Sequence, residues 1–181
     1  ADFETGEIMN KENREKRQER ILQMIQEAEG PLSGSILASR LGVSRQIIVG
    51  DVALLRAGGV LIQATPNGYV LEEQGFGYVG TLACIHHDEE TLLTELYAVV
   101  DLGGTVIDVS VEHSTYGQIS GGLDIRSRLD ADLFAQKLRE NQSKPLSGLT
   151  GGIHLHRIGC RDSETFHLIQ EDLVRKGIAL S

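Results

Sequence analysis

The stretch Leu41-Gly42-Val43-Ser44 constrains this chain more than any other four residues. It lies between two runs of helical periodicity. Gly42 allows the backbone to turn sharply, Val43 supplies an inward apolar contact, and Ser44 carries the side chain of a helix N-cap. Behind Ser44, Ile47, Ile48, Val52, Leu54 and Leu55 keep helical spacing until Gly58-Gly59. Ahead of it, Ser33 caps a short helix bearing Ile36, Leu37 and Leu41. An earlier helix over 11–29 carries Ile21, Leu22, Ile25 and Ala28, and Gly30-Pro31 stops it. After the third helix come two β-rich runs, Val60-Leu61-Ile62 and Tyr69-Val70-Leu71. Thr65-Pro66-Asn67-Gly68 joins them, and Asn-Gly predicts a hairpin turn. Helix, helix, tight turn, helix, hairpin is the order of a winged helix-turn-helix, expected over residues 11–72. Residues 1–10 show no periodicity and are expected as a disordered lead, with Met9 a candidate natural start.

A polar link, Glu72-Glu73-Gln74-Gly75, precedes a second domain expected over 76–181. Its pattern predicts strand 77–85, helix 89–102, strands 105–111 and 116–125, helix 130–141, strand 152–158 and helix 162–176. That βαββαβα order is a split βαβ, an open-faced sheet with helices on one side. The fold class is α+β.

The formal charge of −9 argues against nucleic acid only until it is divided along the chain. Residues 10–72 hold eight Lys/Arg and seven Asp/Glu, whereas residues 73–181 hold nine and sixteen. The acidity belongs to the second domain, and the first is free to present a basic face to phosphates. Aromatics are 4% and Trp is absent, which weakens any reading that needs stacked bases. No stretch approaches the roughly 18–20 apolar residues of a membrane helix. Residues 1–20 are polar where a secretory signal would be apolar. Cys84 and Cys160 are too few for a disulfide framework and read as small buried residues. A cytoplasmic protein with no membrane partner is expected.

The first domain's candidate contacts are to double-stranded DNA. Arg45 and Gln46 fall on the first turn of the third helix, where a recognition helix meets base edges. Arg reads guanine and Gln reads adenine through paired hydrogen bonds. Ser44, Arg40 and the cluster Arg14, Lys16, Arg17 and Arg20 suit phosphates. Asp51 and Val52 read as structural.

The second domain's candidates are among its six histidines. His154-Leu155-His156 lies on a strand, so both imidazoles point to one face. That is half of a divalent metal site. His86-His87 ends another strand, and Glu95 follows on the next helix. Three imidazoles and a carboxylate suit zinc, nickel or iron, with room for a ligand if coordination expands. His113 closes a strand and is a candidate to line the same cavity, and His167 reads as solvated. No phosphate loop, Gly-x-Ser-x-Gly or His-Glu-x-x-His occurs, and no catalytic residue is assigned.

From about Arg17 to Lys176 the chain resembles the niacin-responsive transcriptional repressors of Gram-positive bacteria and Thermotogales. That family joins a winged helix-turn-helix similar to the biotin repressor's to a three-histidine (3H) domain, similar in fold to the phosphocarrier HPr. The resemblance rests on His87 with Glu95, on Val111-Glu112-His113 followed by Tyr116-Gly117, and on Gly151-Gly152-Ile153-His154-Leu155-His156. It implies a metal held by His87, Glu95, His154 and His156, and a ligand pocket bordered by His86, His113 and Tyr116. His86 beside His87 departs from the family pattern and leaves open which of the pair binds. The resemblance further implies a homodimer on a palindromic operator, repressing NAD-biosynthesis and niacin-transport genes when nicotinic acid binds as co-repressor.

Two other functions use the same residues. In a metal-responsive regulator the ion itself is the signal. In an enzyme fused to a DNA-binding module, metal-activated water would need an acid/base partner such as Glu112 or Asp108. Their spacing does not set those two apart from ordinary strand-edge carboxylates.

Overall fold

The computed structural model describes residues 2–72 and 75–181, with side chains from residue 10 onward outside that gap. Ala1 and the middle of the expected link, Glu73-Gln74, lie outside the described residues. The chain divides into two compact units, Ala1–Glu72 and Glu73–Ser181. Among the described residues no helix is long and apolar enough to cross a membrane.

The N-terminal unit contains α1 (Asp2–Glu27), α2 (Gly34–Leu41), α3 (Arg45–Ala57), β1 (Ile62–Thr65) and β2 (Gly68–Leu71). Helix α1 starts well before the expected position, so residues 2–10, expected as a disordered lead, continue it. Apolar periodicity reports burial rather than helicity. A helix can therefore extend through a segment that carries no apolar stripe.

Ser33 and Ser44 cap α2 and α3, each side-chain oxygen accepting from the amide three residues on, at 3.1 and 3.3 Å. Gly42 closes α2 at φ 66°, a left-handed conformation that a side chain would strain. Ile21, Ile25, Leu37, Ile48, Val52 and Ile62 then meet in one core. The hairpin turns on Pro66-Asn67, with Thr65 opposite Gly68. The first strand starts at Ile62 rather than at Val60, because Val60 is tied back to Leu55 in the turn after α3.

The C-terminal unit runs β3 (Tyr78–Ile85), α4 (Glu89–Asp101), β4 (Thr105–His113), β5 (Gly117–Ile125), α5 (Arg128–Glu140), β6 (Ile153–Cys160) and α6 (Ser163–Arg175). A short 3-10 turn, Leu146–Thr150, precedes β6 and carried no signal in the sequence. The sheet is antiparallel, in the order β3-β6-β4-β5. Leu82, Leu96, Val106, Ile125, Ile158, Ile169 and Leu173 form the core between sheet and helices. Each fully buried Leu or Ile contributes about 1.5–3 kcal/mol. A bulge between Val106 and Asp108 resets the alternation of β4. It puts Val109 opposite His156 and Asp108 opposite Arg157.

Gly50 lies inside α3, and a Cβ there would meet nothing within 4 Å. Gly50→Ala is therefore expected to stabilise the chain by about 0.5–1 kcal/mol through helix propensity. Denaturant melts of the full-length variant check this; no gain would mean that this helix position is not intrinsically free.

Candidate functional site

Three elements of the C-terminal unit converge on one carboxylate. Strand β6 alternates, so His154 and His156 both face the helices, and both are buried. Helix α4, capped by Asp88, crosses that face and lowers Glu95 onto the imidazoles with 1% of its surface exposed. The loop after β3 adds His86, which is also buried. Nε2 of His154 lies 3.1 Å from Glu95 Oε1, and Nε2 of His156 lies 2.5 Å from the same oxygen. Nε2 of His86 stands 3.9 Å from Glu95 Oε2. The His154 ring lies 4.5 Å from that of His86 and 4.7 Å from that of His156, centre to centre.

The other ring nitrogens decide what this cluster can do. His154 Nδ1 is 2.8 Å from the Gly152 carbonyl, and His156 Nδ1 is 2.7 Å from the Asp108 carbonyl. A carbonyl only accepts, so each Nδ1 carries a proton and donates it. In the neutral ring each Nε2 is then a lone pair aimed at a carboxylate, which also only accepts. That contact is repulsive unless a proton or a cation lies between them. Metal-bound histidines are held in this tautomer by backbone carbonyls in the same way.

Titration follows the same geometry. Burial alone would raise the Glu95 carboxyl; the charge on His156 and hydrogen bonds from both imidazoles outweigh it and hold the group far below the carboxylate range. Burial would lower His156, but Glu95 raises it overall. Burial dominates at His86 and lowers it.

A cavity of about 560 Å³ adjoins the cluster, within the range of small-molecule sites. His86, His87, Leu92, Arg139, Lys144 and Gly152 are among its lining residues. His86 belongs to both cluster and cavity. Gly152 is at φ 99°, and a Cβ there would run into the His86 carbonyl and the His87 ring.

The expected site residues are only partly brought together. Glu95, His154 and His156 meet. His86, expected at the ligand pocket, is the histidine beside Glu95, whereas His87, expected as the metal ligand, is exposed on the cavity wall. Neighbouring residues in extended backbone point to opposite sides, so only one of the pair can turn inward. His113 and Tyr116 lie at neither place. They pack on each other where β4 turns into β5, with Tyr116 77% exposed, and His113 Nδ1 accepts from the amides of Thr115 and Tyr116. Beyond Ser110, β4 pairs only with β5, and four residues of strand put His113 about 13 Å past Val109, the partner of His156. Of the carboxylates considered as acid/base partners, Asp108 is held by Arg157 and Glu112 is exposed. Cys84 is buried, as expected, but it lies beside the site residues rather than apart from them. Its thiol shares the cluster with Glu95 and His154, and burial together with the Glu95 charge pushes it far up. Its even spacing from Leu82 and Gly80 along β3 was the available signal. His167 is exposed, as expected.

In the N-terminal unit Ser44, Arg45 and Gln46 are exposed at the start of α3, and Arg40 is exposed in the last turn of α2. Arg14 and Lys16 are exposed on α1, and Arg20 bonds Gln23. Arg17 is placed differently from a phosphate contact: its Nε lies 2.5 Å from the buried Asp51 carboxylate.

The profile of the 3H domain matches residues 80–181, and that of an HTH domain matches residues 17–70. The chain is 40% identical over 167 residues to the probable transcription repressor NiaR of Thermotoga maritima, covering 92% of this chain and 95% of that protein. It is 35% identical over 168 residues to the transcription repressor NadR of Bacillus subtilis, covering 91% and 93%.

With no metal added, the Glu95–His156 pair sets a pH dependence. The depressed Glu95 stabilises above its ordinary value of 4.5, and the raised His156 stabilises fully below its ordinary 6.5 and loses that contribution as pH climbs through its folded value. His86, lowered by burial, acts in the opposite sense over the same range, so thermal melts are expected to show a larger loss of stability from about pH 6 to about pH 8.5 in the unaltered chain than in Glu95→Gln. Melting that is flat across this range in both proteins would refute the pairing.

Proposed function

Because the chain belongs to the family of helix-turn-helix transcription repressors that carry a 3H domain, we propose that it represses genes of NAD biosynthesis and niacin transport, with nicotinic acid as co-repressor. The names of the two relatives support this reading, and the family is one of DNA-binding repressors rather than enzymes. The observation that carries the sensor half is the pair of Nε2 lone pairs turned onto one buried carboxylate.

That donor set fits a divalent transition metal such as nickel, zinc or iron. Glu95, His154 and His156 would hold it, with a fourth ligand from the His86-His87 pair. Geometry favours His86, and the spacing to Glu95 favours His87. The ion would supply positive charge beside the cavity, where it offsets the acidity of this unit toward an anionic pyridine carboxylate. Lys144 lines the cavity as a further cationic group, and Arg139 lines it paired with Glu89. His86 links the two, so a molecule in the cavity can bias the cluster.

For DNA, Arg45 and Gln46 are the base-reading residues, and Ser44 and Arg40 are phosphate contacts. A homodimer on a palindromic operator would set two recognition helices about 34–36 Å apart. Nicotinate acts as co-repressor only if it binds the DNA-competent arrangement more tightly than the other.

Calorimetric titration of nicotinic acid into metal-loaded and metal-stripped protein tests the sensor. Binding is expected only with metal. His154→Ala and His156→Ala are expected to abolish ligand-dependent operator binding while the N-terminal unit stays folded. Full response in either variant would sink the metal-site reading. Arg45→Ala is expected to weaken operator binding by about 1–3 kcal/mol and to relax specificity at one base pair; an unchanged affinity in a mobility-shift titration would remove Arg45 from the interface.

A second reading has one observation in its favour. Of the cluster's residues only His86 reaches the cavity, and the rest are sealed. In that reading the ion itself is the signal, and metal alone, with no organic ligand, changes operator affinity.

A further inference from the structure

We propose that Cys84 is a ligand of the same buried centre, so that the site takes a thiolate-accepting divalent ion through Cys84, Glu95 and His154. This rests on the metal reading above and adds to it the class of ion and a ligand outside the histidine–glutamate set.

Sγ of Cys84, a carboxylate oxygen of Glu95 and a ring nitrogen of His154 all lie within 4.8 Å of one another. Two neighbouring donors on one divalent ion stand roughly 3–3.5 Å apart, so modest side-chain rotations close the set. The placement follows from the sheet. Cys84 on β3 is directly opposite His154 on β6, so both side chains rise from the same face toward α4, and Cys84 is fully buried.

Charge supplies the second reason. A divalent ion held by one carboxylate and neutral imidazoles leaves a net positive charge in the core. Burying such a charge is costly unless it is compensated. A thiolate beside the Glu95 carboxylate makes the centre neutral. On binding, the Sγ–H bond breaks, its proton leaves to solvent, and the sulfur lone pair forms the Sγ–metal bond; no electron is transferred. Sulfur disfavours hard ions such as magnesium and manganese, and favours zinc and its cobalt substitute.

Cys160 is an internal control. It lies on the same strand, six residues from His154 and so about 20 Å away. It is opposite Tyr78 rather than the cluster.

Cobalt(II) is titrated into metal-stripped full-length protein and followed by absorption. The near-ultraviolet thiolate-to-cobalt charge-transfer band is expected in the unaltered chain and in Cys160→Ser. It is expected to vanish in Cys84→Ser and Cys84→Ala, while the visible bands of bound cobalt remain. Zinc affinity, measured against a competing chelator, is expected to fall by more than about 100-fold in both Cys84 variants, beyond the loss typical of an outer partner. Cobalt bound by the unaltered chain without the thiolate band overturns the proposal, and that measurement needs no variant to fold. A band that survives Cys84→Ser overturns it too. If the unaltered chain binds no cobalt at all, the metal reading itself fails and this inference with it, which is a distinct result from binding without sulfur.

Discussion

A carboxylate with 1% of its surface exposed sits among three imidazoles, and the C-terminal unit is arranged around the need to compensate it. An isolated buried carboxylate costs several kcal/mol. Here the compensation comes from an adjacent helix, a sheet and a loop. Helix α4 carries Glu95 on the face that also packs Leu92, Leu96 and Val99 into the core. Strand β6 presents two histidines because its side chains alternate. Backbone carbonyls of Gly152 and Asp108 then set the tautomer of each ring. The bulge in β4 matters here, since it brings the Asp108 carbonyl to His156 while sending the Asp108 side chain to Arg157. Gly152 is required because its backbone approaches the His86 carbonyl too closely for a Cβ.

The N-terminal unit meets a different demand, which is to hold one helix end open to solvent while its back is packed. Ser33 and Ser44 each satisfy a helix N-terminus, worth about 1 kcal/mol apiece. Ile48 and Val52 anchor α3 inward, which leaves Arg45 and Gln46 outward on the first turn. Arg17 and Gln18 tie α1 to Asp51 on the inner side of α3. Breaking that tie would leave a buried carboxylate without its cation, so Arg17 belongs to the packing of the helices. The basic surface left for phosphates is correspondingly smaller than the composition of α1 suggests.

The two units carry opposite electrostatic tasks. A near-neutral helix-turn-helix can meet phosphate with locally clustered cations. The acidic C-terminal unit repels an anionic effector unless positive charge is placed near the cavity. In the proposed reading a buried ion and Lys144 would meet that need at short range, Arg139 being already paired with Glu89. In this picture the coupling energy comes from the difference in effector affinity between two arrangements of the protein.

Much of the fold was legible in the chain because it is written in local chemistry. Gly42, Ser44, Asn67-Gly68 and the alternation of β6 each act within a few residues, so the winged helix-turn-helix and the βαββαβα order followed from spacing alone. Helix α1 ran further toward the N-terminus than periodicity indicates, because apolar periodicity reports burial rather than helicity. Glu95, His154 and His156 were also legible, since a His-x-His on a strand and a carboxylate on the next helix have few other meeting places. What the sequence by itself determined is which residue types reach the site. Tertiary structure alone decided which of them meet. It turned His86 inward and His87 outward, left His113 and Tyr116 at a hairpin tip, tied Arg17 to Asp51, and set Cys84 across from His154. Each of those outcomes depends on strand register and on where a loop reverses, and these are fixed by contacts between residues far apart in the chain.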